Sequence, residues 1–115
     1  MDFRDPAWVR PDVAGYFAGG GELARASGVT VAAVDADPPS FSFGRPIGAV
    51  HYFRRHGPAG TVGFGSYSDD QLRRVAAAID AHVPTLVYFN NDLDGMAVAN
   101  ARRLIEICRE RGLTA

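Results

Sequence analysis

Four stretches of the chain have the pattern of β-strands. Apolar, β-branched and aromatic runs at 29–34 and 85–89 predict buried strands, the second covered on both faces. Residues 48–57 alternate along a third strand, with Arg54 and His56 on one face and their neighbours on the other. A short piece at 2–4, ended by a proline, predicts the stump of a fourth.

Apolar stripes with a spacing of three and four residues predict the helices. The first helix follows Pro11, and the second begins at Ser68, which forms a capping box with Gln71. A third begins after Gly95 and ends at Gly112. The predicted stripe of the second helix is Leu72, Val75, Ala76 and Ile79, and that of the third is Ala97, Ala101, Leu104 and Cys108, broadened by Val98 and Ile105.

Strands that alternate with helices predict an α/β fold with parallel strands joined by right-handed crossovers. A chain of 115 residues is long enough for one domain and too short for two. A complete eight-stranded barrel takes about 250 residues, so about four strands amount to half of a TIM-type barrel. A small doubly wound sheet, with helices on both faces, is the alternative architecture.

Composition narrows the function only by exclusion. The net charge is −1 and all basic residues are Arg, so we expect neither nucleic-acid binding nor lysine chemistry. The single cysteine, Cys108, predicts a reduced, cytoplasmic protein, and no apolar run is long enough to cross a membrane. One well-placed His and scattered Asp residues fall short of a metal-ligand set. No cofactor is expected.

Polar side chains stand where two predicted strands end. Asn90 and Asn91 follow one strand, and Arg54 and His56 lie at the end of another. Ligands are held at the carboxyl ends of strands in α/β folds, so these residues are candidates for binding and proton transfer. The alternative is that the two amides belong to an ordinary turn and that His56 has a purely hydrogen-bonding role.

Several motifs occur in the order of one known family. They are Asp2-Phe3-Arg4-Asp5-Pro6-Ala7-Trp8, Tyr52-Phe53-Arg54-Arg55-His56-Gly57, Tyr67-Ser68, Phe89-Asn90-Asn91 and Gly95-x-Ala97-x-x-Asn100-Ala101-x-x-Leu104. Together they resemble the YecE-like family, domain of unknown function 72. The resemblance implies a TIM-type barrel related to sugar isomerases, without an established reaction. It also implies that residues 1–115 form a single partial domain, equivalent to the fifth to eighth strands.

The resemblance and the strand ends together suggest an enzyme-like barrel fragment that binds a small polar or anionic ligand. His56 and Arg54 are the candidate catalytic residues. The candidate ligand-binding residues are Arg4, Trp8, Tyr67, Asn90 and Asn91. The alternative is a non-catalytic module or truncated remnant in which the same residues form a structural network. A half-barrel leaves sheet edges and one face uncovered, so either hypothesis predicts a homo-oligomer or a partner half-barrel.

Overall fold

The described part of the computed structural model includes a three-stranded parallel sheet, two α-helices and a short 3-10 helix, Leu93–Gly95, before the second of them. The order of the strands and α-helices is β1 (Ala33–Asp35), β2 (His51–Arg55), α1 (Asp69–Ala77), β3 (Thr85–Phe89) and α2 (Met96–Glu110). The strands lie in the order β1-β2-β3. The structure describes residues 7, 10–13, 30–35, 46–58 and 63–113.

This sheet confirms an α/β fold with parallel strands. The predicted strand at 2–4 and most of the predicted first helix lie outside the described residues. No helix in the described part of the chain is long and apolar enough to cross a membrane.

The three strands end level with one another. Asp35 is the neighbour of Arg55 across β1 and β2, and Arg55 is the neighbour of Phe89 across β2 and β3. Residues that follow these positions are therefore brought to one edge of the sheet, which we call the strand-end rim. It comprises Asp35, residues 54–57 and Asn90.

Two strands are shorter than the apolar runs predict. Val31 leaves the parallel ladder and forms an antiparallel bridge with Ile47, with N···O distances of 2.7 and 3.0 Å. At the start of the β2 run, Gly48 has a φ of 133°, which β-strand geometry does not allow. Backbone conformation and a competing partner thus set the strand limits more than apolar character does.

Helix α1 begins as the sequence predicts. Ser68 is its N-cap and accepts a bond from the Gln71 amide at 3.2 Å, while the Gln71 side chain accepts one from the Ser68 amide at 2.8 Å. This confirms the capping box, which satisfies two amides that the helix cannot pair internally. The buried side chains of α1 are Leu72, Val75 and Ala76, whereas Ile79 lies beyond its end.

Helix α2 is rotated relative to the predicted stripe. Its buried residues are Ala97, Asn100, Leu104 and Ile107. The prediction that Val98 and Ile105 broaden the buried stripe is wrong, because their side chains are 57% and 38% exposed. A polar residue, Asn100, occupies one buried position, so a pattern based on apolar residues alone misplaces the face of the helix.

Both helices cover the same side of the sheet. Their buried side chains pack with Tyr67 and with Val87 and Phe89 of β3. On the other side of β3, Leu86 and Tyr88 are 47% and 50% exposed. The prediction that β3 is buried on both faces is therefore wrong, because the packed helices lie on one face only. We call the other face, formed by Tyr52, Arg54, Leu86 and Tyr88, the open face.

Two isoleucines of α2 offer a test of this helix orientation. Ile107 is fully buried and Ile105 is 38% exposed. We expect Ile107→Ala to lower the free energy of unfolding by about 2–4 kcal/mol, because it removes buried methylene groups and leaves a cavity. Ile105→Ala should cost less than about 1 kcal/mol. Urea denaturation of both variants measures the difference, and equal losses would contradict the observed orientation.

Candidate functional site at the strand-end rim

The rim brings together residues from three separate parts of the chain. Asp35 ends β1, Arg54 and Arg55 end β2, and Asn90 directly follows β3. The backbone amide of Asn90 donates to the Arg55 carbonyl at 2.7 Å, and this bond continues the sheet pairing one residue past β3. This gathering of charged and amide side chains is the arrangement that the strand ends predict.

Arg54 and Asn90 meet directly at this rim. The Arg54 Nε donates to Asn90 Oδ1 at 3.1 Å, and both residues are partly buried. A guanidinium carries five N–H donors, and this bond uses the one on Nε. The bond fixes the plane of the guanidinium, whose Nη groups have the geometry that recognises a carboxylate or a phosphate.

An aromatic pair lies beside Arg54 on the open face. Tyr52 and Tyr88 stack with ring centroids 5.1 Å apart and an angle of 15° between their planes. Tyr88 is the cross-strand neighbour of Arg54 and is half exposed. A cation and an exposed aromatic ring side by side suit a ligand that has both a polar group and an apolar surface.

The second arginine of the rim faces the helices and has a charged partner. Arg55 Nη1 lies 3.6 Å from Asp35 Oδ2, and the two side chains are 17% and 25% exposed. The Arg55 guanidinium also lies 5.3 Å from the centre of the Phe53 ring. A sheltered guanidinium needs an anionic partner, and Asp35 supplies it for Arg55.

Tyr67 connects two of the rim segments from the helix side. Its hydroxyl donates to Asp35 Oδ2 and accepts a bond from the Gly57 amide at 2.7 Å. Burial, and next the hydrogen bond to Asp35, raise the pKa of Tyr67 well above its ordinary value. The hydroxyl therefore stays protonated and remains a donor to the carboxylate.

Asn91 lies in a buried amide network below the rim. Its Nδ2 donates to the Gly65 carbonyl at 2.7 Å and to Asn100 Oδ1 at 2.9 Å. The same Asn100 oxygen accepts from the Tyr67 amide at 3.2 Å, and Asn100 Nδ2 donates to Ser66 Oγ at 3.1 Å. The network thus joins the end of β3, the loop before α1 and helix α2.

The backbone of His56 is held from two sides. Its amide donates to Asp35 Oδ1 at 2.7 Å, and its carbonyl accepts from the Gly63 amide at 2.5 Å. Gly57, the next residue, has a φ of 138°, a conformation that suits glycine. The chain therefore leaves β2 in a defined direction at His56.

The predicted site residues separate into three groups. Arg54, His56 and Asn90 gather at the rim, whereas Asn91 and Tyr67 are buried and engaged in the hydrogen bonds described above. Arg4 and Trp8 lie outside the described residues. The roles assigned to all seven in catalysis or ligand binding stay predictions.

The predicted site did not include two residues that organise it, Asp35 and Asn100. Asp35 directly follows an apolar run, and a carboxylate at the end of a strand is a candidate site residue. The same position also suits a carboxylate that caps a turn or faces solvent. Asn100 lies within a helical pattern, where a polar residue is normally expected on the outside. Asn100 lies three residues after Ala97 and four before Leu104, so it is on the same face of the helix as these buried residues. This spacing indicates that Asn100 is buried.

Comparison with known proteins identifies the family. The model of the family described as "Protein of unknown function DUF72" matches residues 1–114. The chain belongs to the DUF72 family. A search of curated proteins and a search of solved structures each return no match.

A groove of the described DUF72 structure lies away from the rim. It has a volume of about 580 Å³ and lies between the end of α1, β3 and α2. Apolar side chains dominate its lining, among them Val87, Leu104, Ile105 and Cys108, and burial raises the pKa of the Cys108 thiol. None of the predicted site residues lines it, so convergence of polar groups, rather than groove size, identifies the rim as the candidate site.

No group of three or more His, Cys, Asp and Glu side chains in the described ranges is arranged to hold a metal ion. Asp35 is instead engaged with Arg55, Tyr67 and the His56 amide.

The two neighbouring asparagines offer a matched test of the network. We expect Asn91→Ala to lower the free energy of unfolding by about 1–3 kcal/mol, because it leaves the Gly65 carbonyl without its buried donor. Asn91 Oδ1 is itself buried and receives no bond from a described residue, which reduces the loss. Asn90→Ala, at the partly buried rim, should cost less than Asn91→Ala. Thermal and urea unfolding measure both, and a reversed order would contradict the assignment.

Proposed function

We propose that the strand-end rim of this DUF72 chain binds a small polar or anionic ligand, such as a sugar derivative with a carboxylate or phosphate group. The observation that carries the proposal is the hydrogen bond between Arg54 Nε and Asn90 Oδ1 at 3.1 Å, beside the open face. It holds a guanidinium at the position where parallel α/β sheets bind ligands.

Each rim residue has a role in this proposal. Arg54 contacts the anionic or hydroxyl group of the ligand, and Asn90 holds the guanidinium and adds its amide. His56 transfers a proton if the ligand is a substrate. The exposed ring of Tyr88 supports the apolar side of the ligand, as the half-exposed stack with Tyr52 allows.

The proposal extends to the rest of the predicted site and to the architecture. Arg4 and Trp8 complete the pocket from the first segment of the chain. Asn91 and Tyr67 support it from below, since their described hydrogen bonds are to protein groups. The three observed strands are then part of the second half of a TIM-type barrel, with the open face directed toward the barrel interior.

Binding of inorganic phosphate tests the ligand site. We expect Arg54→Gln to weaken phosphate binding about tenfold or more, because charge-assisted hydrogen bonds contribute about 1.5–3 kcal/mol. Arg102→Gln, at an exposed position on α2, is the matched control and should bind as the unaltered protein does. Isothermal titration calorimetry at low ionic strength measures both dissociation constants. Equal affinities of the two variants would overturn the proposal.

A second candidate function is a structural module that associates through its open face. The observation that favours it is the exposure of Leu86 and Tyr88, 47% and 50%, on the face opposite the helices. Adjacent apolar and aromatic side chains exposed on a sheet promote association. The hydrogen bonds that engage Asp35, Tyr67 and Asn91 fit this function as well as ligand binding.

The mass of the protein in solution tests the second candidate. We expect a dimer or larger assembly by light scattering, and we expect Tyr88→Glu to shift it toward monomer, because a charge on the open face opposes its burial. Leu93→Glu alters an exposed apolar residue that lies outside the sheet, and it should leave the mass unchanged. A monomeric unaltered protein would contradict association.

A further inference from the structure

Asp35 and Tyr67 converge on the backbone that follows β2. The Asp35 carboxylate accepts the His56 amide at 2.7 Å, and the Tyr67 hydroxyl accepts the next amide, that of Gly57, also at 2.7 Å. The two acceptors are bonded to each other through the Tyr67 O–H. Two side chains distant in sequence therefore hold two consecutive amides as one unit.

The unit is rigid because its own parts are fixed. The Tyr67 ring is buried and packs edge-on against Phe89, with ring centroids 5.6 Å apart. The Tyr67 amide is bonded to the buried Asn100 side chain at 3.2 Å. Asp35 is further held by Arg55 on the adjacent strand. Neither acceptor can move without disturbing β1, β3 or α2.

His56, whose backbone amide is bonded to Asp35, lies two residues after Arg54. The side chain of Asn90 orients the Arg54 guanidinium. The backbone amide of Asn90 is bonded to the carbonyl of Arg55, the residue between Arg54 and His56, at 2.7 Å. The backbone turn at residues 56 and 57 therefore sets the position from which the His56 side chain starts, relative to Arg54. A ligand site with two contacting groups needs such a fixed distance between them.

We infer that Asp35 and Tyr67 are positioning residues that present His56 to the same ligand as Arg54. The inference rests on the proposed ligand site at the rim. Neither residue contacts the ligand. The phenol donates permanently to the carboxylate, since its raised pKa keeps it protonated, so the arrangement holds over the physiological pH range.

The test compares Tyr67→Phe with Ser68→Ala. The first variant keeps the buried ring and removes the hydroxyl that joins Asp35 to the Gly57 amide. The second removes the N-cap of α1 one residue away, and it lowers stability without touching the rim. Nuclear magnetic resonance follows the titration of the His56 imidazole and the binding of inorganic phosphate, both well below the unfolding temperature.

We expect Tyr67→Phe to weaken phosphate binding about tenfold, because a small displacement of one contacting group removes its contribution. The titration midpoint of the His56 imidazole should change, because the backbone that carries the ring is no longer held by the Tyr67 hydroxyl. Ser68→Ala should change neither property. Asp35→Asn, which keeps an oxygen for the His56 amide, should weaken phosphate binding in the same direction.

Each other outcome overturns a defined part of the argument. An unchanged His56 titration in Tyr67→Phe, or an equal change in Ser68→Ala, would overturn the positioning role. Failure of Tyr67→Phe to fold would overturn it too, because the hydroxyl would then serve the fold itself. If the unaltered protein binds no phosphate, the proposed ligand site fails for this probe, while the His56 titration still decides whether Tyr67 positions that residue.

Discussion

The carboxylate of Asp35 is the group on which the described structure of the rim depends. A carboxylate that is three-quarters sheltered is costly unless charge and hydrogen bonds compensate for the lost water. Arg55 supplies the charge, while the Tyr67 hydroxyl and the His56 amide supply the hydrogen bonds. These partners come from the adjacent strand, the turn after it and the loop before α1. Satisfying this one side chain therefore fixes the relative positions of three segments.

A second cluster of buried polar side chains, formed by Asn91 and Asn100, also connects separate segments of the chain. Asn91 and Asn100 are almost fully buried, and their amides satisfy backbone groups of the loop that carries Tyr67. Loops that lack regular pairing need such partners when they are buried. Because Tyr67 belongs to both clusters, the carboxylate and the amides form one connected layer between the sheet and the helices. The connection makes the layer sensitive to the loss of any member.

The two faces of the sheet differ: one packs against the helices, and the proposed ligand site lies on the other. The face toward the helices carries the apolar core, and the open face carries the stacked tyrosines and Arg54. Arg54 and Arg55 are neighbours in sequence, yet Arg55 lies beside Asp35 on the helix side of the sheet and Arg54 is bonded to Asn90 on the open face. Alternation along a strand is enough to give adjacent identical residues different surroundings. The proposed ligand site uses the arginine on the open face.

The sequence by itself determined the elements whose causes are local. The capping box at Ser68, the apolar run of β3 and the alternation along β2 act over a few residues, and the strand patterns placed Arg54, His56 and Asn90 at strand ends. Only the tertiary structure decided which side of each element is covered. Asn100 is buried and Ile105 is exposed because Asn100 finds hydrogen-bond partners at distant residues, and Leu86 is exposed because both helices pack on the opposite face. Such partners, like those of Asp35, depend on contacts between segments that no local pattern encodes.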